Sequence, residues 1–207
     1  FSFQVDTGSC KPVDCGAPRY GLNEAVVMEK LTSNLEHNGL IEDDDGPWGA
    51  MVVLAAKPNQ GLKHFSEYQW RLCVSYRKLN QVTRPYKYPI PRCDDAVEDI
   101  DPEAKWYIAV DMDSGYWQIT AEKEARARLA FYTPSGKKRW TVMPMGALNS
   151  AATFCAMMET MKKEWNQIAV EQKVDHCDTK VIVDDVIMYG RDCDELIRYF
   201  GIVLDVL

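Results

Sequence analysis

Val181-Ile182-Val183-Asp184-Asp185-Val186-Ile187-Met188 sets two adjacent aspartates inside an apolar, β-branched run. The flanks read as strands, and Gly190 closes the second one, so the segment predicts a tight hairpin with both acids at its tip. A plain turn or a helix N-cap fits the same two residues. An ionised carboxylate is expensive to bury, and two side by side raise each other's pKa, so a buried pair calls for a cation. Upstream, Trp106-Tyr107-Ile108-Ala109-Val110-Asp111-Met112-Asp113 again runs an apolar strand into aspartate. Asp111, Asp184 and Asp185, delivered from two strand ends, would make a hard-oxygen site suited to Mg²⁺. A pair of such ions is a common device for in-line phosphoryl transfer.

The rest of the chain bounds this reading. Its 207 residues, 46% apolar and 27% charged, allow one large domain or two small ones with a real core. No apolar run is long enough for a membrane span, and no signal-peptide pattern opens the chain, so no membrane partner is expected. The seven cysteines are irregularly spaced. They predict reduced thiols and an intracellular setting. Cys10 with Cys15, and His176-Cys177, are too sparse for a zinc signature.

A net charge of −7 argues against a nucleic-acid coat protein. The charge is uneven, however. Arg71, Arg77, Lys78, Arg84, Lys87 and Arg92 form one acid-free basic group, and Lys123, Arg126, Arg128, Lys137, Lys138 and Arg139 form a second. Either could serve a polyphosphate or nucleic-acid substrate, or be a solvated surface.

Residues 1–20 read as extended. Within them Asp6-Thr7-Gly8 is the tripeptide of aspartic proteases, but Lys11-Pro12 follows at once and no apolar strands surround it, so a protease is discounted. A helix capped by Asn23 runs to about Asn38 and stops at Gly39. The acidic run Glu42-Asp43-Asp44-Asp45 predicts a solvated loop. Met51 to Ala56 and Arg71 to Ser75 read as strands around a polar tip from Pro58 to Tyr68. Tyr86 to Pro91 is extended, and Asp94 to Ile100 a short helix. Ser114-Gly115 is a turn before a short strand from Trp117 to Thr120. Strands Leu129–Thr133 and Arg139–Val142 flank Pro134-Ser135-Gly136-Lys137. Asn149 or Ser150 caps a long helix to about Val170, and Asp194 to Leu207 is a final amphipathic helix. The irregular alternation of helix and strand predicts an α+β fold.

Six stretches in this order resemble the reverse transcriptase of gypsy-type LTR retrotransposons and, more distantly, retroviral reverse transcriptases. They are Pro47-Trp48-Gly49-Ala50-Met51-Val52-Val53, Trp70-Arg71-Leu72-Cys73-Val74-Ser75-Tyr76-Arg77-Lys78-Leu79-Asn80, Tyr88-Pro89-Ile90-Pro91-Arg92, Asp111-Met112-Asp113-Ser114-Gly115-Tyr116-Trp117-Gln118-Ile119, Met143-Pro144-Met145-Gly146-Ala147-Leu148-Asn149-Ser150-Ala151-Ala152-Thr153-Phe154, and Ile182-Val183-Asp184-Asp185. The resemblance implies the fingers and palm of a right-hand polymerase, the palm carrying a small antiparallel sheet packed on helices. Fingers are expected over 1–84 and 119–149, palm over 85–118 and 150–207. It implies RNA-directed DNA polymerase activity on an RNA or DNA template with a primer, using deoxynucleoside triphosphates. Asp111, Asp184 and Asp185 would bind two Mg²⁺ ions, with Mn²⁺ as a substitute. Arg71, and more weakly Lys57, would meet the triphosphate. Tyr116 would stack under the sugar and exclude a 2′-hydroxyl. Met145 and Gly146 would support the nucleotide and template base, and Gln118 the primer site. Arg77 and Lys78 would face nucleic acid.

The pattern also departs from the family. Ile182 stands where Tyr is usual, Ser75 where Asp is, Ala151 where Pro is, and the stretch from Pro58 to Gln69 is longer than the usual turn. The chain stops at Leu207, so the thumb and RNase H are expected in the remainder of a polyprotein, and the family's cytoplasmic particles imply a cytoplasmic location. A catalytically inactive descendant, kept as a binding scaffold, is the alternative expectation. An intact three-aspartate set argues against it.

Overall fold

The computed structural model describes residues 1–57, 69–90, 98–182 and 184–207. In chain order its elements are β1 (Ser2–Phe3), α1 (Leu22–His37), β2 (Ile41–Asp43), β3 (Met51–Ala56), β4 (Trp70–Ser75), α2 (Arg77–Val82), β5 (Trp106–Asp111), a 3₁₀ turn (Gly115–Gln118), β6 (Thr120–Ala121), α3 (Lys123–Arg128), β7 (Ala130–Thr133), β8 (Gly136–Trp140), α4 (Ser150–Glu171), β9 (Cys177–Ile182), β10 (Asp185–Gly190) and α5 (Cys193–Val206). The expected tip over 58–68, most of the expected helix at 94–100, and Val183 lie outside the described residues. The chain divides into two units: Phe1–Pro85 with Tyr116–Ser150, and Tyr86–Gly115 with Ala151–Leu207.

In the first unit, β2, β8 and β7 form an antiparallel sheet and β3 pairs with β4. Ala50 joins the two, its N–H donating to Ala130 O at 2.9 Å while its carbonyl accepts from Tyr132 N at 3.0 Å. Period-two alternation sorts β3: Val52 is buried while Met51 and Val53 are exposed. The core gathers Phe3, Met28, Ile41, Tyr76, Leu129, Phe131, Trp140 and Met143, all nearly or fully buried. Val5 and Thr7 are buried too, so the amino-terminal segment belongs to this core. Asp6 is no catalytic acid there. Its Oδ1 accepts from Gly8 N at 2.8 Å and its Oδ2 pairs with Arg84 at 3.2 Å, an ordinary Asx turn tied to a surface ion pair.

Helix α1 starts two residues before the expected cap: Gly21 is the N-cap and Glu24 accepts its N–H at 3.0 Å. A carboxylate at the third helical position reaches back to the cap, and Asn23 already lies inside the helix. The stop falls at Gly39 as expected, with φ +70° and Leu40 N donating to Leu35 O at 2.9 Å.

The acidic run is only in part a solvated loop: Asp45 is exposed outside any strand, but Glu42 and Asp43 lie in a strand and the Asp44 side chain is buried. Ile41–Asp43 is a strand whose Glu42 and Asp43 stand opposite Arg139 and Lys138 of β8. Asp44 is fully buried at its side chain, 3.4 Å from Lys137 and 3.5 Å from Arg139, and accepts from Gly46 N. Lys138 binds both Glu36 (2.7 Å) and Asp43 (2.8 Å). Cross-strand charge pairing turns a weak strand former into a strand. The carboxyl-terminal half of the second basic group is therefore neutralised within the unit.

The expected strand at Trp117–Thr120 is also corrected: residues 115–118 form a 3₁₀ turn, and only Thr120–Ala121 is strand. Gly115 is buried where a Cβ would sit 3.0 Å from the Phe154 ring, and Trp117 packs on Trp140 at 5.7 Å between ring centres. A short apolar run fits either period, and packing decided it. Helices α2 and α3 carry no strong amphipathic signal in the sequence and were not expected.

In the second unit, β5, β10 and β9 form an antiparallel sheet in that order. One face, with Val186 and Met188, is buried together with Phe154, Met158, Trp165, Tyr199 and Val203 of α4 and α5. Within it Thr179 Oγ1 donates to Tyr199 Oη, which donates to Asn166 Oδ1. The opposite face is open at β5, where Tyr107 is exposed and stacks beside its cross-strand partner Tyr189 at 6.5 Å. Asp192 caps α5 by accepting from Asp194 N and Glu195 N.

Candidate active site

Strand register builds the acidic centre in the second unit. Asp185 lies directly opposite Asp111 across β10 and β5, and opposite Ile182 across β10 and β9. Met112 N donates to Asp184 O at 3.1 Å. That bond marks 112/184 as a hydrogen-bonded pair. Asp111/Asp185 is therefore the adjacent non-hydrogen-bonded pair, the kind with Cα atoms only about 4.5 Å apart. Both side chains leave the same face and are exposed.

Asp184, in the turn, differs. It is half-buried, and its Oδ1 is shielded without a hydrogen-bond partner among the described residues. Burial raises its carboxyl pKa above the ordinary value, and the charges of Asp111 and Asp185 raise it further. Asp184 in turn adds to the burial that raises the thiol of Cys155 on α4. The expectation of two buried acids is thus corrected: the desolvation cost falls on Asp184, because Asp185, the first residue of β10, is itself exposed.

As the side chains stand, no set of three His, Cys, Asp or Glu residues among the described residues closes around one ion position. The donor set itself fits a hard divalent cation. It offers three carboxylates of mutually repelling charge, one with a shielded, unpaired oxygen, at adjoining backbone positions.

The other candidates lie in the first unit. Arg71 on β4 is exposed and opposite Ala55. Lys57 N donates to Gln69 O at 2.8 Å, continuing the β3–β4 ladder one step. Lys57 and Arg71 therefore leave the same face as diagonal neighbours, a spacing of about 7–8 Å. Tyr116 is half-buried at the start of the 3₁₀ turn and Gln118 exposed at its end. Arg77 and Lys78 are exposed on the first turn of α2. Met145 is 59% exposed, and Gly146 has φ +86°, a left-handed conformation that favours glycine.

Asn80 was not singled out as a site residue from the sequence. Its Nδ2 donates to Gly146 O at 3.0 Å, and its Oδ1 accepts from Leu148 N at 3.0 Å. Nothing in composition or spacing flags an asparagine that reaches 66 residues along the chain. Its only signal was its place at the end of the Trp70–Asn80 motif.

Residues 57–207 match the family described as reverse transcriptase (RNA-dependent DNA polymerase). The chain belongs to this family of RNA-directed DNA polymerases, which are nucleotidyltransferases, and its α+β fold is that of their fingers and palm. An RNA-directed DNA polymerase homolog of Oenothera berteroana is 36% identical over 140 residues, covering 66% of this chain and 92% of the relative. The Pol polyproteins of the Drosophila melanogaster transposons 297 and gypsy are 27% and 28% identical over 88% and 90% of this chain. These relatives are consistent with a gypsy-type domain. The chain spans only 16% and 17% of those two polyproteins. Among solved structures, the foamy viral protease-reverse transcriptase in complex with an RNA/DNA hybrid superposes with a TM-score of 0.81 at 17% identity, covering 100% of this chain and 25% of that one. The native prototype foamy virus protease-reverse transcriptase gives 0.78 at 20% identity, with the same coverage. At these identities the likeness speaks for the fold. No helix among the described residues is long and apolar enough to cross a membrane.

Proposed function

We propose that this chain carries the fingers and palm of an RNA-directed DNA polymerase and extends a primer 3′-hydroxyl by nucleotidyl transfer at Asp111, Asp184 and Asp185. The observation that carries the reading is the direct opposition of Asp111 and Asp185 beside the shielded, unpaired oxygen of Asp184. Purely structural sheets avoid like charges directly opposite each other.

Under this reading the first unit is the fingers and the second the palm, with boundaries near 85, 116 and 150. Asp111 and Asp185 present exposed oxygens from facing strand ends, and Asp184 presents its shielded oxygen. Two divalent cations, Mg²⁺ or Mn²⁺, would supply Lewis-acid chemistry there, easing deprotonation of the primer hydroxyl and offsetting the triphosphate charge. Arg71 grips the triphosphate bidentately and Lys57 adds a point charge beside it. Tyr116 stacks under the sugar. Met145 and Gly146 give the base a soft apolar support, Gln118 steadies the primer end, and Arg77 and Lys78 meet template phosphates. The template–primer, the triphosphates and a cytoplasmic setting come from the family. So does membership of a longer polyprotein bearing thumb and RNase H.

The test is primer extension on RNA and DNA templates, with thermal melting in Mg²⁺ and in EDTA. Extension lost in Asp111→Asn, with an Mg²⁺-dependent rise in Tm lost in Asp184→Asn/Asp185→Asn, is the expected result. Extension surviving Asp111→Asn would overturn the reading. No Mg²⁺ effect in the parent would favour an inactive scaffold.

A further inference from the structure

We propose that Asn80 is the positioning residue for the Met145–Leu148 loop and so tunes nucleotide affinity, an inference that rests on the nucleotide-supporting role assigned to that loop above. The two hydrogen bonds of its carboxamide have opposite polarity, donation to Gly146 O and acceptance from Leu148 N, each at 3.0 Å. Only an amide in one orientation satisfies both, so the side chain acts as a two-point clip rather than a surface contact. The clip brackets Ala147 and begins at the left-handed Gly146, whose ideal Cβ position lies 3.7 Å from Val74 O of β4. Asn80 sits on α2, a few residues beyond β4, the strand that carries Arg71. The loop and the strand of the proposed triphosphate arginine thus share one short frame.

Separate bonds hold the residues flanking the loop and Ala147 within it. Asn149 Nδ2 donates to Arg84 O at 2.9 Å, Ser150 Oγ to Pro144 O at 2.8 Å, and Ser150 N to Ala147 O at 3.1 Å. Met145 itself is largely exposed, so core packing does little to hold it. Removing the Asn80 amide therefore releases the Gly146 carbonyl and the Leu148 amide while Ala147 and the flanking residues stay anchored. Asp at position 80 keeps an acceptor for Leu148 N but sets an anionic oxygen against Gly146 O.

The test is made on the whole chain with primer–template bound. Its readouts are deoxynucleoside triphosphate affinity in Mg²⁺, backbone amide exchange at Leu148, and Tm. For Asn80→Ala the expected result is an increase in nucleotide Kd of about tenfold, the effect of one or two hydrogen bonds. It should come with faster Leu148 exchange and little change in Tm. For Asn80→Asp, Kd should rise while Leu148 stays protected. A faster Leu148 amide with unchanged Kd would overturn the inference while leaving the polymerase reading intact. A parent chain that binds no nucleotide would overturn both.

Discussion

Asp111 and Asp185 face each other across β5 and β10 as a non-hydrogen-bonded antiparallel pair, which sets two carboxylates at the closest approach a sheet allows. Directly opposed like charges destabilise a sheet by roughly 0.2–1 kcal/mol. In EDTA, Asp185→Asn should therefore raise Tm, by about 1–3 °C for a chain of this size. In Mg²⁺ the order should reverse, with the parent melting higher. Calorimetry in both buffers reads this. A lower Tm for the variant in EDTA would mean that the pair is not repulsive.

Asp184 makes a pH-dependent contribution whose sign follows from its raised pKa, caused first by burial and then by Asp111 and Asp185. A carboxyl that is harder to ionise folded than unfolded binds protons more readily in the native state. Its stabilising effect is complete below the unfolded value of 3.8 and disappears as pH rises through the folded value. Without divalent ions, Asp184→Asn should therefore be more stable than the parent at pH 7, and the advantage should shrink as pH falls toward 4. Urea melts across that range measure it, and a difference independent of pH would contradict the assignment.

Arg71 is exposed on its strand, so its loss should leave folding nearly untouched. Arg71→Ala should raise the KM for deoxynucleoside triphosphate about tenfold or more, and Arg71→Lys should recover only part, because ammonium cannot replace a bidentate guanidinium. Steady-state primer extension tests this. Full recovery with Lys would reduce Arg71 to a point charge.

Asp44 is fully buried at its side chain between Lys137 and Arg139, which retain some exposure. Asp44→Ala should cost about 2 kcal/mol, since two cations each lose one of their acceptors and the Gly46 N–H loses the Asp44 carboxylate. Urea denaturation measures it. A change under about 0.5 kcal/mol would show that the network only decorates the surface.

Much of the candidate site was legible as residue identity. The apolar run broken by Asp-Asp, and the earlier strand ending in Asp111, are local patterns that strand periodicity and the cost of burying charge interpret without coordinates. Helix α1's stop at Gly39 and the span of α4 were legible for the same reason. Glu42 to Asp44 were misread because an acidic run looks solvated unless its partners are known. Those partners, Lys137 to Arg139, lie far along the chain. Trp117 was misread because the indole stacked on Trp140 outweighed a short alternating pattern.

Order and chemistry of motifs along the chain were enough to name the family and to put forward three acids as its candidate centre, since those depend on residue type and spacing. Which of the acids bears the burial, that Asp111 meets Asp185 rather than another residue, and that Asn80 holds Gly146 and Leu148 emerged only on folding. Cross-strand register and long-range hydrogen bonds join residues far apart in the chain, and no local periodicity encodes which distant partner a side chain will find.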